Sequence, residues 1–182
     1  VIKLQFMDAP LSNMCPPPVL VMGVSACGKT TLGQQLAARN GWRFVDADDL
    51  HPPHNIEKMS RGMPLDDDDR SPWLDIVADV LSHAPVVVAC SALRRCYRDR
   101  LRRSAPTLEI LYLHASRELL MHRALGRTQH YMPASLLDSQ MAALEPPTPE
   151  DHALLLDAAV PVETLLDAAM SHLRGRLRHT PR

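Results

Sequence analysis

The chain has 182 residues, 46% of them hydrophobic, and a formal net charge of -1 at neutral pH. That length suits one domain with a two- or three-layer core, and the balanced charge leaves no bulk electrostatic footprint for nucleic acid. No apolar run approaches the ~18 residues that span a bilayer, and Cys15, Cys27, Cys90 and Cys96 show no metal-ligand spacing, which reads as reduced thiols in a cytoplasmic protein.

Residues 1–17 run into Pro16-Pro17-Pro18 without a charged segment followed by a sustained apolar one. They read as a flexible leader rather than a secretory signal, with a single domain over 18–182. The first predicted strand is Val19-Leu20-Val21-Met22. Gly23-Val24-Ser25-Ala26-Cys27-Gly28-Lys29-Thr30 follows, an intact G-x-x-x-x-G-K-[ST] loop, and then a helix over 29–40. Strand, loop and helix in that order are what the motif needs to hold a nucleoside triphosphate. Glycine lets the backbone curl until its N–H groups converge on phosphate oxygens. The helix adds unpaired donors and a positive dipole end. The spacing assigns residues 23–30 and Thr31 to the nucleotide, Lys29 to the β- and γ-phosphates, and the Thr30 hydroxyl to Mg²⁺.

Further strands are predicted at 43–47, 85–90, 108–113 and 153–157. Each is short and nearly continuously apolar, as in a sheet covered on both faces. Helices are predicted at 72–82, 92–104, 116–125 and 161–173. Ser71 serves as the cap of the first, and Pro161 lies in the first turn of the last. The alternation implies a three-layer α/β/α fold on a parallel five-stranded sheet, with ligands at the carboxyl ends of the strands. The connections at 48–70 and 127–149 are too long for plain loops and read as acceptor-binding and lid insertions. Short helices are expected within them at 54–61 and 133–144. The outer acids of the run Asp66-Asp67-Asp68-Asp69 read as a solvated loop, with Asp69 and Arg70 pairing.

The third strand ends Ala89-Cys90-Ser91, without the Asp that commonly supports Mg²⁺. The second ends Val45-Asp46-Ala47-Asp48. Both acids end that strand, and their i, i+2 spacing puts the two carboxylates on one face beside the phosphate loop. One acid, Asp46, would then serve water-bound Mg²⁺, and the other an acceptor hydroxyl. Arg123 and Arg127 lie four apart on one helix face. Their planar guanidinium groups suit adenine stacking and phosphate oxygens.

Beyond the loop, Leu50-His51-Pro52, Asn55, Lys58-Met59, Gly62, Pro64-Leu65, Asp67, Asp69-Arg70 and Pro72-Trp73-Leu74 form a block in which the chain resembles gluconate kinases. A second carries Cys90-Ser91-Ala92-Leu93, Tyr97-Arg98-Asp99 and Leu101-Arg102, and a third His130, Met132, Leu136-Leu137, Ser139-Gln140 and Leu144-Glu145. The resemblance implies transfer of the ATP γ-phosphoryl group to the 6-hydroxyl of D-gluconate on an adenylate-kinase-like P-loop NTPase fold with a lid, often as a homodimer. It makes Asp48 the acid that orients the sugar hydroxyl, and Arg123 and Arg127 the arginines at the lid base. With Lys29, Asp48 and Arg127 form the catalytic set. His51, Lys58, Arg70, Ser91, Arg98, His130 and Gln140 are candidate gluconate contacts. Gluconate is a polyol with one carboxylate, so cations mixed with neutral donors and acceptors suit it. Trp73 and Met59 read as packing.

Ala26-Cys27 stands where the family often has Gly-Ser or a similar pair, which implies strain if Ala26 needs positive φ. Beside Lys29, the Cys27 thiol is expected to be acidified and open to oxidation that blocks ATP. Alternative readings are a shikimate- or nucleotide-kinase-like enzyme, or a P-loop protein without activity. The first should show a Gly-Gly-Gly turn where Cys90-Ser91-Ala92 stands, and the second an acceptor region rich in arginine.

Overall fold

The two faces of one central strand set the layering. In the computed structural model, which describes residues 16–126 and 134–178, β1 (Val19–Met22) is buried throughout. Side chains alternate across a strand, so Val19 and Val21 join one apolar cluster and Leu20 and Met22 another. The first cluster is closed by α1 (Lys29–Asn40), α5 (Arg117–Leu125) and α7 (Val162–Arg178), and the second by α3 (Asp67–Ser82) and α4 (Arg95–Ser104). The remaining strands are β2 (Arg43–Asp46), β3 (Val86–Ala89), β4 (Glu109–His114) and β5 (Leu154–Asp157). All pairings are parallel, in the order β2-β3-β1-β4-β5. This is the three-layer α/β/α sheet that the alternating pattern predicts.

The strands fall within two residues of expectation, and the helices differ in instructive ways. The helix predicted from Pro72 begins five residues earlier, at Asp67, with Asp66 as its N-cap. Asp66 Oδ1 accepts from the Asp69 N–H, and Asp69 Oδ2 accepts from the Asp66 N–H, both at 2.9 Å. The acidic run is therefore the first turn of α3 rather than a solvated loop. Carboxylates there satisfy orphan donors and meet the positive end of the helix. Pro72 lies inside the helix at the expense of one backbone bond. Asp69 pairs with Lys58 of α2 (Pro53–Ser60), not with Arg70 as the sequence suggests. The helix predicted from residue 92 begins at Arg95, because Ala92 takes a φ of 42° and Arg94, its N-cap, is still extended.

Residues 1–15, and with them most of the expected leader, lie outside the described residues. So do residues 127–133. The following helix, α6 (Ala134–Ala143), packs back on the body: Leu137 enters the first cluster, and Asp138 accepts from Arg117 at 2.8 Å. No helix among the described residues is long and apolar enough to cross a membrane. Gly33 seats α1 against the sheet: a Cβ there would lie 2.6 Å from the ring of Phe44 on β2.

Candidate active site

The loop after β1 turns on three residues with positive φ: Gly23 at 143°, Ala26 at 65° and Gly28 at 102°. At Gly23 a Cβ would lie 2.4 Å from the carbonyl oxygen of Leu113, so only glycine fits between β1 and β4. Ala26 takes the left-handed conformation despite its side chain, which costs roughly 1–2 kcal/mol. Lys29 Nζ donates to the Val24 carbonyl at 3.2 Å across the loop. The first turn of α1 carries no acid, so its positive end is left for an anion.

Cys27 does not bear out the expectation of a reactive thiol. It is 1% exposed and belongs to the apolar cluster under the loop, with Sγ 2.9 Å from where a Gly23 side chain would begin. At that exposure the sulfur is closed to an oxidant or an alkylating reagent.

Asp46 ends β2 and caps the 3₁₀ turn Ala47–Leu50 that follows, so Asp48 stands in that turn and not on the strand. The shared strand face expected from the i, i+2 spacing is therefore not formed. Asp46 Oδ2 accepts from the Thr30 hydroxyl at 2.7 Å, and Oδ1 from the Asp48 N–H at 3.1 Å. The two acids still share one electrostatic neighbourhood with Lys29, at the end of β3. Burial, then Asp48, and to a smaller extent Asp46 push the Cys90 thiol up to about 12, against the opposing pull of Lys29. Hydroxyl and carboxylate oxygens of this kind suit a hard divalent cation.

Beside the loop lies a cavity of about 430 Å³, whose lining includes Ala26, Gly28 and Thr31 together with Arg123 and Val160. Arg123 is fixed by donating to the carbonyls of Cys27 at 3.4 Å and Ala158 at 2.7 Å, which ties α5 to the loop. Arg127 lies outside the described residues.

The predicted acceptor contacts divide. Arg70, Ser91 and Gln140 meet in a cleft of about 40 Å³ with Trp73, Arg94 and Tyr97. Arg70 and Arg94 each stand 5.9 Å from the centroid of the Tyr97 ring. Asp67 holds this wall, accepting from Arg94 at 2.9 and 2.7 Å and from the Tyr97 hydroxyl. Arg94 and Tyr97 were missed as cleft residues, although both lie in or beside the second sequence block. Gln140 reaches further than expected, accepting from the Ser25 N–H of the loop at 2.8 Å.

Lys58 points into the α3 cap, where Asp69 and Asp66 raise its pKa above the ordinary range. Arg98 is not a cleft residue. It is 1% exposed and donates to Asp151 and to the carbonyls of Leu93 and Glu145, locking α4 to the segment before β5. A buried guanidinium needs such partners to offset its desolvation, and they leave it no place at the acceptor. His51 stacks on Trp73 with ring centroids 4.2 Å apart, and burial first and Arg70 second hold its pKa down at about 4. Trp73 donates Nε1–H to the Ala47 carbonyl at 2.7 Å and packs in the core, as expected. His130 lies outside the described residues.

The AAA domain family matches residues 19–147. The chain is 41% identical over 180 residues to a probable gluconokinase of Xenopus tropicalis, covering 87% of this chain and 92% of that protein. It is 41% identical over 165 residues to a gluconokinase of Gluconobacter oxydans, covering 88% and 93%. Among solved structures, a gluconokinase from Sinorhizobium meliloti superposes with a TM-score of 0.84 at 44% identity, covering 91% and 95%.

Proposed function

We infer, from the premise that this chain belongs to the gluconokinase family, that it transfers the γ-phosphoryl group of ATP to the 6-hydroxyl of D-gluconate, giving 6-phospho-D-gluconate and ADP. The observation that carries this reading is the bond from the Thr30 hydroxyl to Asp46, which caps the turn bearing Asp48, beside a loop curled for phosphate.

The loop amides and Lys29 would hold the β- and γ-phosphates, and the cavity under Arg123 would take the base. Thr30 and, through water, Asp46 would hold Mg²⁺, and their hydroxyl–carboxylate contact fits that ion. Magnesium held there would supply charge neutralisation for the transferring phosphoryl group. Asp48 would accept the proton of the gluconate hydroxyl as its oxygen bonds to phosphorus and ADP departs. Arg70, beside Ser91 in the cleft, would meet the gluconate carboxylate. Gln140 would line the same cleft, and Arg127 is assigned to the transferring group from its place four residues after Arg123. Unpaired Cys27 and Cys90, both buried, fit a reducing cytoplasmic setting.

ADP release from Mg-ATP, followed with and without each of a panel of sugar acids, tests the reading. Gluconate-dependent turnover is expected. Turnover only with shikimate or a nucleoside monophosphate, or none with any acceptor, would overturn it.

A further inference from the structure

We propose that Asn55 is a positioning residue that locks His51 as the Nε2–H tautomer, so that the ring offers the acceptor polyol a fixed hydrogen-bond donor and not a base. The inference rests on the gluconate reading above for the identity of the acceptor, and on geometry alone for the lock.

Asn55 is completely buried on α2. Its Nδ2 lies 2.9 Å from the carbonyl oxygen of Asp69. A backbone carbonyl can only accept, so the amide nitrogen must be the end that faces it. The second N–H of the same group meets His51 Nδ1 at 3.3 Å. That contact is a hydrogen bond only if Nδ1 carries a lone pair, and a neutral imidazole with its lone pair at Nδ1 carries its proton on Nε2. Protonating Nδ1 would set N–H against N–H in a site with no solvent to absorb the conflict. Burial and the nearby Arg70 act in the same direction, holding the pKa of the ring at about 4.

The ring plane is set independently. His51 lies nearly parallel to the Trp73 indole, at 13°, and the indole is pinned by its bond to the Ala47 carbonyl. Trp73 in turn lines the cleft that holds Arg70 and Ser91. Among the described residues Nε2 has no hydrogen-bond partner, and it is not among the side-chain atoms sealed from solvent. The Oδ1 atom of Asn55, by contrast, is sealed and has no partner in the described structure. An asparagine that leaves its oxygen unpaired is a poor choice for stability alone. Its amide nitrogen does what few side chains could do there, donating at once to a carbonyl and to a ring nitrogen. A locked Nε2–H can donate to a sugar oxygen but cannot take up a proton at either nitrogen near neutral pH. General-base duty is thereby left to Asp48, three residues earlier.

The test is nitrogen NMR of ¹⁵N-histidine-labelled full-length protein without substrate, assigned with H51Q, together with kinetics of two variants. In the wild type the ring should show the Nε2–H pattern unchanged from pH 8 to pH 6. A ring that shows Nδ1–H, or that titrates near the ordinary histidine value, overturns the lock whatever the acceptor proves to be. N55D offers a carboxylate in place of a donor and should move the proton to Nδ1. It should also raise the KM for gluconate about tenfold, the scale of one lost hydrogen bond, with the KM for ATP unchanged. In H51Q, whose amide nitrogen can stand near the Nε2 position, adding N55D should change the gluconate KM no further. An undiminished effect in that background would mean that Asn55 acts through packing, and would overturn the proposal. If N55D does not fold, the wild-type spectrum still decides the lock, and N55S, which should give mixed tautomers, replaces it in the kinetics. A changed tautomer with unchanged gluconate KM would overturn the donor role alone.

Discussion

The side-chain carbonyl of Gln140 accepts a hydrogen bond from the Ser25 backbone N–H at 2.8 Å, joining residues 115 apart in the chain. Through it, α6 holds an amide of the loop assigned to phosphate. Q140A removes one neutral bond and should raise the KM for ATP or gluconate up to about tenfold. Q140E places a carboxylate where phosphate charge collects and should be worse than Q140A for ATP, most clearly at low salt. Steady-state kinetics of the two variants at two ionic strengths check this. Equal behaviour would remove the charge argument.

Lys29 serves the phosphates and Asp48 the acceptor hydroxyl in the proposed mechanism. K29A and D48A should each reduce kcat/KM by at least ~100-fold, the scale of one electrostatic or general-base contribution. Melting temperatures close to wild type would show that the loss is chemical. Near-normal turnover in either variant would strip that residue of its role.

Ala26 holds a φ of 65°. A26G should relieve the conformational cost and stabilise the protein by up to about 1 kcal/mol, net of the backbone entropy that glycine adds. Urea unfolding of the two proteins measures it. The KM for ATP should not rise, because the glycine adopts the same loop geometry without strain.

Asp66 is held at about 2, below the ordinary 3.8, first by the Asp69 N–H and then by Lys58. A carboxylate depressed in the folded state stabilises it above the unfolded pKa, and that contribution is lost as pH falls through the folded value. Melting temperature should therefore fall between about pH 4 and pH 2. D66N keeps a competent cap but loses this titration, so its acid slope should be shallower. An unchanged slope would assign acid sensitivity elsewhere, to Asp151 or Glu109, whose carboxyls are also depressed.

Among the described cysteines Cys27 and Cys90 are buried and Cys96 is exposed. A thiol reagent added to the native protein should modify Cys96 and leave the other two untouched until unfolding, with or without Mg-ATP. Peptide mapping by mass spectrometry reads the outcome. Rapid, ATP-sensitive labelling of Cys27 would restore the reactive-thiol expectation.

What could be read in the sequence was what lies within one contiguous stretch. The phosphate loop is legible because strand, glycines, lysine and helix follow one another, and the five strands because a doubly covered sheet leaves unbroken apolar runs. The acidic run was misread because charge alone does not distinguish a solvated loop from a helix cap; the reciprocal bonds between Asp66 and Asp69 decide it. Arg98 was misread for a related reason. Its partner Asp151 lies 53 residues away, and no local pattern announces that a charged residue will be buried against it. The wall made by Asp67, Arg94 and Tyr97 and the bond from Ser25 to Gln140 likewise need the tertiary fold. Asp46 and Asp48 were correctly placed near the loop, but a strand geometry was extended one turn too far.

The vacancy at Gly33 makes kinetics and thermostability hard to tune separately. The aromatic edge of Phe44 fills the space a methyl group would need, so a larger residue must displace either that ring or the helix that begins with Lys29 and Thr30. Phe44 lies two positions before Asp46, and a displaced helix would pull Thr30 from that carboxylate. A mutation made far from either ligand, to improve packing between helix and sheet, would thus surface as altered magnesium dependence.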